Sequence, residues 1–545
     1  MIQNASFRRK VLYLAIIALL LIPLYMIGHP AAGDPAAADS TPGGRLSQLR
    51  SQYELSQAEL GEIDPASESM KLATLGMRGV AAQILWTKAN QYKKTQNWEQ
   101  MIASINQMAK LQPNYIGVWE FQSHNVSYNV SVEHDDYRFR YLWVKKGIDF
   151  LIQGTRYNRK EPRLFHSVGW FTGQKFGRAD EYRQFRRLFQ DDDDFHQVAN
   201  QYVAVDAARG VRGKPDNWLL ARLWYNEAYN LVDNQGRSIG AKTPHIFFAD
   251  GPKSRMNYAA EIEAEGVLDE KAEYEWEQAA REWKTFGDRQ VPTSIGPVIR
   301  LNEEEFWLQE TVRLSNELDE LVVGARAAIL AEKRAKLTDA QRAALDTPLE
   351  QVKDAEVYTR RGEAVMLTEI VPTEIAARAD EKIRAQAYRL ADRIAEANAK
   401  AHWTNRYRET VNFEYWRARC EVEQRPQAVS ARRHIYEAGQ LAERLELEAA
   451  KREYELAWDD WSQILEANPE LMERLMAEDL VEDIQDYIQL LDQLDQKLAA
   501  DFKLRPLLEI HDALPAYLRE ATDPANAAAA APIPPAEPKP ALPNL

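Results

Sequence analysis

Residues Ala82 to Tyr115, AQILWTKANQYKKTQNWEQMIASINQMAKLQPNY, constrain the fold more than any other stretch of the chain, because their spacing specifies one local unit. Ala89 and Tyr92 lie three apart, Met101, Ile105 and Met108 recur at intervals of four and three, and Pro113 closes the pattern. Those intervals put one apolar stripe on each of two helices joined by a tight turn. A hairpin of this kind cannot shield its apolar face alone, so neighbouring helices must pack on both sides of it. The expected fold is therefore all-α, built from helical hairpins, and its expected mode of action is binding.

At 545 residues, 45% hydrophobic and 28% charged, the chain is long enough for several domains or for one extended array of hairpins. Its net charge of -15 argues against a nucleic-acid partner, because phosphate neutralisation needs an excess of Lys and Arg. The single cysteine, Cys420, excludes an internal disulfide and any multi-cysteine metal site.

Arg8, Arg9 and Lys10 precede Val11 to Gly28, a run of 18 residues without a charge, long enough to span a bilayer core as a helix. With the basic cluster before it and Asp34 and Asp39 after it, residues 1–10 are expected in the cytoplasm, 11–28 in the inner membrane and the body outside. A cleaved signal peptide is the competing reading, since Ala31-Ala32-Gly33 and Ala36-Ala37-Ala38 offer small residues at cleavage positions. An exported chain with one cysteine suits a bacterial envelope. Residues 29–45, rich in Ala, Gly and Pro, read as a flexible linker, and the Ala- and Pro-rich tail 522–545 as disordered.

Between them, residues 46–290 read as a helical-repeat domain and 298–518 as a domain of longer helices, with Pro292, Gly296 and Pro297 at the boundary. A second hairpin is expected over Tyr115 to Val130 and Tyr137 to Thr155. A third is expected to pair a helix from Arg163, with Gly169 as its small residue, with Glu181 to Phe189. Trp276 and Trp283 form a stripe, Thr338 with Gln341 a capping box, and Ile383, Ala387, Leu390, Ile394 and Ala397 an apolar seam. The hairpin pattern returns over Ala431 to Leu471 with Ala457, Trp461, Ile464 and Pro469. Leu475 to Leu498 reads as an amphipathic helix capping the array.

These positions resemble the tetratricopeptide (TPR) repeat: a small residue and an aromatic in the first helix, apolar residues in the second, and a closing proline over about 34 residues. The chain departs from that pattern at Lys88, Ala89 and Met101, where the family has Leu, Gly and Ala. LATLGMRGVAAQILW at Leu72 to Trp86, then LQPNY and FHSVGW, are similar to a group of membrane-anchored bacterial proteins with degenerate TPR-like hairpins. Planctomycete versions of that group include some labelled "iron responsive element", a name for an RNA element that carries no functional weight here. The resemblance implies an α-solenoid, an anchor and no catalytic residues.

Gly236 to Thr243, GRSIGAKT, fails as a phosphate-binding loop: only three residues separate its glycines and Ala241 displaces the lysine. Asp191 to Asp194 lacks the spacing and glycine of a calcium loop and reads as a solvated turn. No two histidines have the helical metal-site spacing with a glutamate between them. The nearest grouping is His124, His134, Asp135 and Asp136, the basis of an alternative metal-binding or enzymatic reading. The preferred expectation is a protein–protein interaction scaffold with no catalytic residue, cofactor or metal. Aromatic residues crowd the first two hairpins, mostly as core. Arg138, Arg140, Lys145, Lys146, Arg156, Arg159, Lys160 and Arg163 make the second hairpin locally basic, and Arg138, Arg140, Trp143, Lys145 and Lys146 are the candidate binding residues, for a protein partner or an acidic peptide.

Overall fold

The computed structural model describes residues 43–52 and 78–522, except 295, 353, 473 and 474, together with scattered positions between 13 and 27. The expected cytoplasmic N-terminus, nearly all of the linker and the tail lie outside the described residues, as does much of the expected transmembrane run. Among the described residues no helix is long and apolar enough to cross a membrane. The described chain is all-α apart from one two-residue ribbon, and it divides into two compact units, Met1–Tyr258 and Ala259–Leu545.

In the first unit α1 (Arg45–Gln52) precedes the hairpin of α2 (Arg78–Lys94) and α3 (Trp98–Leu111). The turn between them uses Gln96 at φ 55°, and Asn97 caps α3 by accepting from the Gln100 N–H. Ala89, Met101, Ile105 and Met108 are fully buried, as the spacing requires, and Tyr92 is half-buried. The chain leaves through Pro113, whose buried carbonyl accepts from Trp119 Nε1 at 2.7 Å and from Asn158 Nδ2 at 2.9 Å.

α4 (Ile116–His124) runs into a π-helical stretch, Asn125–Val130, and a 3₁₀ turn, Ser131–Glu133, before α5 (Tyr137–Tyr157) returns antiparallel. Two glycines set their approach. A Cβ at Gly147 would lie 2.1 Å from Ser127 Oγ, and one at Gly154 would lie 2.8 Å from the Trp119 ring.

α6 (Pro162–Gly177) does not take its expected partner. Glu181 to Phe189 is mostly the helix α7 (Tyr182–Gln190), but α6 packs most extensively on α9 (Asn217–Asp233). α7, α8 (Asp193–Ala199) and a 3₁₀ turn, Val205–Ala208, intervene. The reason is a groove along α6: Gly169, Gly173 and Gly177 fall on one face, and α9 fills it with Trp218, Ala221 and Tyr225. A Cβ at Gly169 would come 2.9 Å from the Ala221 carbonyl oxygen, and one at Gly177 would come 2.4 Å from the Trp218 ring. A buried ion pair, Arg186 Nη2 to Asp216 Oδ2 at 2.9 Å, ties α7 to the start of α9, which Asp216 caps. α10 (Pro244–Ala264) follows, its Gly251 N–H donating to Tyr229 Oη of α9.

In the second unit α11 (Glu270–Asp288) buries Trp276 and Trp283, and the Trp283 indole donates to the Phe413 carbonyl at 3.0 Å. The Pro292–Pro297 stretch forms a ribbon of β1 (Val291–Pro292) with β2 (Val298–Ile299). α12 (Glu304–Leu321) packs on the 31-residue helix α17 (Glu381–Val411), burying Leu314 and Leu318 against Ala387, Leu390, Ala391, Ile394 and Ala397. Ile383, the first residue of the expected seam, is only partly buried beside that core. Between these two come α13 (Ala325–Ala335), α14 (Asp339–Asp346), α15 (Ala355–Thr368) and α16 (Pro372–Ala377), and Thr338 with Gln341 forms the expected capping box of α14.

α18 (Phe413–Glu423) leads to the hairpin of α19 (Pro426–Glu443) and α20 (Leu447–Ala467). Ala457, Trp461 and Ile464 are buried there, and Pro469 opens a 3₁₀ turn after the hairpin. α21 (Leu475–Gln493), α22 (Arg505–Ile510) and α23 (Ala516–Thr522) complete this core, in which Ile484, Tyr487, Leu491 and Leu498 are buried.

A charged network lies inside the second unit. Arg432 pairs with Glu423 at 3.0 Å and with Asp483 at 3.7 Å, and sits over the Trp461 ring. Arg419 approaches Glu423 at 3.8 Å and Asp479 at 3.3 Å. Burial, then the Glu423 charge, push the Glu263 carboxyl up to about 8.

Candidate functional site

The second hairpin was expected to present a basic face, and three of its cations, Arg140, Lys145 and Arg163, are neutralised within the fold. Asp136 caps α5 by accepting from the Arg138 N–H. Arg140 pairs with Glu181 and donates to the His134 carbonyl. Lys145 Nζ lies 2.6 Å from Asp192 Oδ1, and Arg163 makes a two-pronged pair with Glu120. Arg140 and Lys145 are thus structural ion-pair partners.

The run Asp191 to Asp194 is a turn between α7 and α8 in which Asp191, Asp193 and Asp194 are exposed, as expected, while Asp192 turns inward. Asp192 caps α8 through the Phe195 N–H, accepts from Tyr141 Oη at 2.9 Å and binds Lys145. Burial opposes its ionisation, but hydrogen bonds from Lys145, the Phe195 N–H and Tyr141 outweigh burial and hold its carboxyl below the usual range. Neighbouring Asp149 is pushed up to about 6 by burial, with Asp192 adding to the rise and Lys145 opposing it.

What α5 leaves outward is aromatic and apolar. Phe139 is 57% exposed and Leu142 46%, and Val132 from the preceding 3₁₀ turn is 56% exposed. Trp143 stacks on His134 at 5.8 Å, His134 borders Phe139 at 6.2 Å, and Lys146 Nζ lies 4.2 Å above the Trp143 ring. Arg138 is exposed and 3.7 Å from Asp136. Of the five candidate binding residues, Arg138, Trp143 and Lys146 share this outer face, whereas Arg140 and Lys145 turn to internal carboxylates. Val132, Phe139 and Leu142 were missed; the i, i+3 spacing of Phe139 and Leu142, out of phase with buried Tyr141, Val144 and Ile148, was the available signal.

The His124 to Asp136 grouping does not assemble as metal ligands. His124 stacks on Tyr128 at 4.7 Å, and burial, then Lys93 and Lys175, hold its basicity below the usual range. Two ammonium groups beside that imidazole oppose binding of a cation. His134 is stacked on Trp143, and Asp136 is occupied as a helix cap. Among the described residues, the group of three whose ligand atoms lie within 4.8 Å of one another is His434, Glu437 and Glu453, on the α19–α20 hairpin.

The Gly236 to Thr243 loop holds Gly236 and Gly240 at positive φ and enters α10 without a preceding strand, so it forms no phosphate cradle. Compared with known protein families, characterised proteins and solved structures, the chain matches none.

Proposed function

We propose that the chain is a membrane-anchored, extracytoplasmic scaffold whose TPR-like hairpins stack as an α-solenoid, and that it binds a protein partner through the outer face of α5. The observation that carries this reading is the exposed apolar set Val132, Phe139 and Leu142, continuous with Trp143 and bordered by Arg138 and Lys146. Exposed aromatic anchors with cations at the rim are the composition of a binding surface, since each large side chain returned to water on dissociation opposes release. Because Arg140 and Lys145 are internally paired, apolar contact carries the affinity, and an acidic residue of the partner meets Arg138 or Lys146. The uncharged run Val11 to Gly28 behind Arg8, Arg9 and Lys10 supports the anchor, with the body outside the cytoplasmic membrane. A TPR-like bacterial envelope family is consistent with these features.

A photo-crosslinking residue placed at position 139 of the full chain in its native membrane tests the reading. A stoichiometric adduct with one envelope protein, lost in a Leu142→Asp variant that keeps its helicity, is expected. A folded chain that yields no such adduct rejects this face as the interface.

A further inference from the structure

In the first unit, α6, α10 and the loop before α10 border an open cavity of about 340 Å³. Its polar end is His166, 3% exposed on α6. His166 Nε2 lies 3.0 Å from Asp250 Oδ2, off the line of a straight hydrogen bond, and Nδ1 lies 3.2 Å from Lys242 Nζ. The imidazole is held flat against Phe247 at 4.7 Å and meets the edge of Tyr225 at 4.8 Å. Burial, ahead of the opposing Asp250 contact, holds His166 below its usual basicity and keeps it neutral. A neutral ring between these groups places its N–H toward Asp250 and its lone pair toward Lys242. Ser167 and Thr243 also line it, and the larger part of the remaining wall is apolar: Trp170, Phe171, Ile246 and Phe247.

Glu120 is committed to Arg163 and to Ser167 Oγ, and Asp250 faces His166 with Lys253 nearby. Arg163, with Glu120 and Glu161 beside it, is thus already matched by carboxylates. Lys242 is the cation whose close contact is an imidazole nitrogen rather than a carboxylate. Burial lowers its basicity, with Glu120 and Asp250 opposing. A part-buried ammonium in that position is stabilised by an anion delivered from outside. The cavity volume lies at the small end of the range for small-molecule sites, and its apolar wall favours a hydrocarbon or aromatic body.

We propose that this cavity binds a small apolar carboxylate, with its carboxylate on Lys242 and its hydrocarbon or aromatic body between Trp170, Phe171, Ile246 and Phe247. His166 acts as a positioning residue: held by Asp250 and Phe247, it presents a lone pair that orients the Lys242 ammonium. No covalent step is involved.

The test is calorimetric titration of the full chain in detergent with phenylacetate, 4-methylpentanoate and indole-3-acetate, each beside its neutral amide. At least one acid is expected to bind at least tenfold more tightly than its amide, with Lys242→Met removing that preference. Trp170→Ala, at a half-exposed position, is expected to weaken acid and amide alike and decides the apolar wall even where Lys242→Met fails to fold. Folded chain that binds none of the three acids overturns the proposal. So does equal affinity for acid and amide, which describes an apolar cavity without an anion site. Borohydride trapping of phenylacetaldehyde on Lys242 in a chain that binds no acid would instead identify an uncharged, imine-forming amine.

Discussion

Asn158, at the end of α5, donates through Nδ2 to the Pro113 carbonyl at 2.9 Å and to the Gly154 carbonyl at the same distance. Pro113 lacks an N–H and ends the first hairpin, so its buried carbonyl depends on side chains of the next one, Asn158 and Trp119. Removing a buried donor leaves its acceptors stranded, at a cost of about 1–3 kcal/mol. Asn158→Ala should lower the thermal melting temperature, and Asn158→Asp should lower it further because a carboxylate would face two carbonyls. Circular dichroism melts of the two variants read the order directly.

Gly177→Ala should be destabilising although alanine is the better helix former. The new methyl group meets the Trp218 ring at the end of the groove, and overpacking of this kind costs about 1–3 kcal/mol. Trp218→Leu in the same chain should recover part of the loss, because the two sites share one volume. A double-mutant cycle on urea midpoints checks it; purely additive losses would show that the contact is not limiting.

Charge reversal should separate the two kinds of basic residue on α5. Arg140→Glu and Lys145→Glu remove ion pairs with Glu181 and Asp192 and set like charges together, and should lower stability by about 1–3 kcal/mol. Arg138→Glu and Lys146→Glu lie on the outer face and should change stability by less than about 0.5 kcal/mol. If Arg138→Glu alone reduces partner recovery while helicity is kept, the outer face is the interface; equal loss of fold in all four would deny the distinction.

The Glu263 carboxyl sits in the second unit with Glu423, Arg419, Arg432 and Asp483. Its folded value of about 8 lies above the ordinary glutamate value, so the folded state holds the proton more tightly than the unfolded state. Its contribution to stability is complete below about pH 4.5 and is lost as pH rises toward 8. Glu263→Gln should flatten that part of the stability profile and make the chain more stable than wild type at pH 8 by about 1–3 kcal/mol. Hydrogen exchange on the second unit at pH 6 and pH 8 measures the difference.

Cys420 is fully buried in α18, and burial pushes its thiol well above the usual range. A thiol reagent should leave the folded chain unmodified and react with one equivalent on unfolding, giving a chemical clock for opening of the second unit. Fast modification at low denaturant would contradict this burial.

Local periodicity carried much of the fold. The stripes at Met101, Ile105 and Met108, at Trp276 and Trp283, and at Ala387, Leu390, Ile394 and Ala397 are buried because a helix repeats its faces every few residues. The pairing of α6 was misread because α7, the next amphipathic helix, is also well patterned. The competing signal, glycines at 169, 173 and 177 matched by Trp218, Ala221 and Tyr225, is legible only when both helices are considered together. Charge was misread for a related reason. Arg140, Lys145 and Arg163 look like a solvated basic face until Glu181, Asp192 and Glu120, each more than 40 positions away, are folded onto them. The exposed set Phe139 and Leu142 was visible as a phase mismatch on α5 and was passed over in favour of charge.

The separation of α6 from α9 also sets a timetable for folding. A ribosome releases α6 long before α9, so the glycine groove emerges without the ring that fills it and must wait for residues 178–216 to pass. Closing that loop makes this a non-local helix pair, and distant pairings are slow ones. The early hairpins can form from neighbours as they appear, whereas the groove stays open until synthesis reaches Trp218 and the residues beyond it.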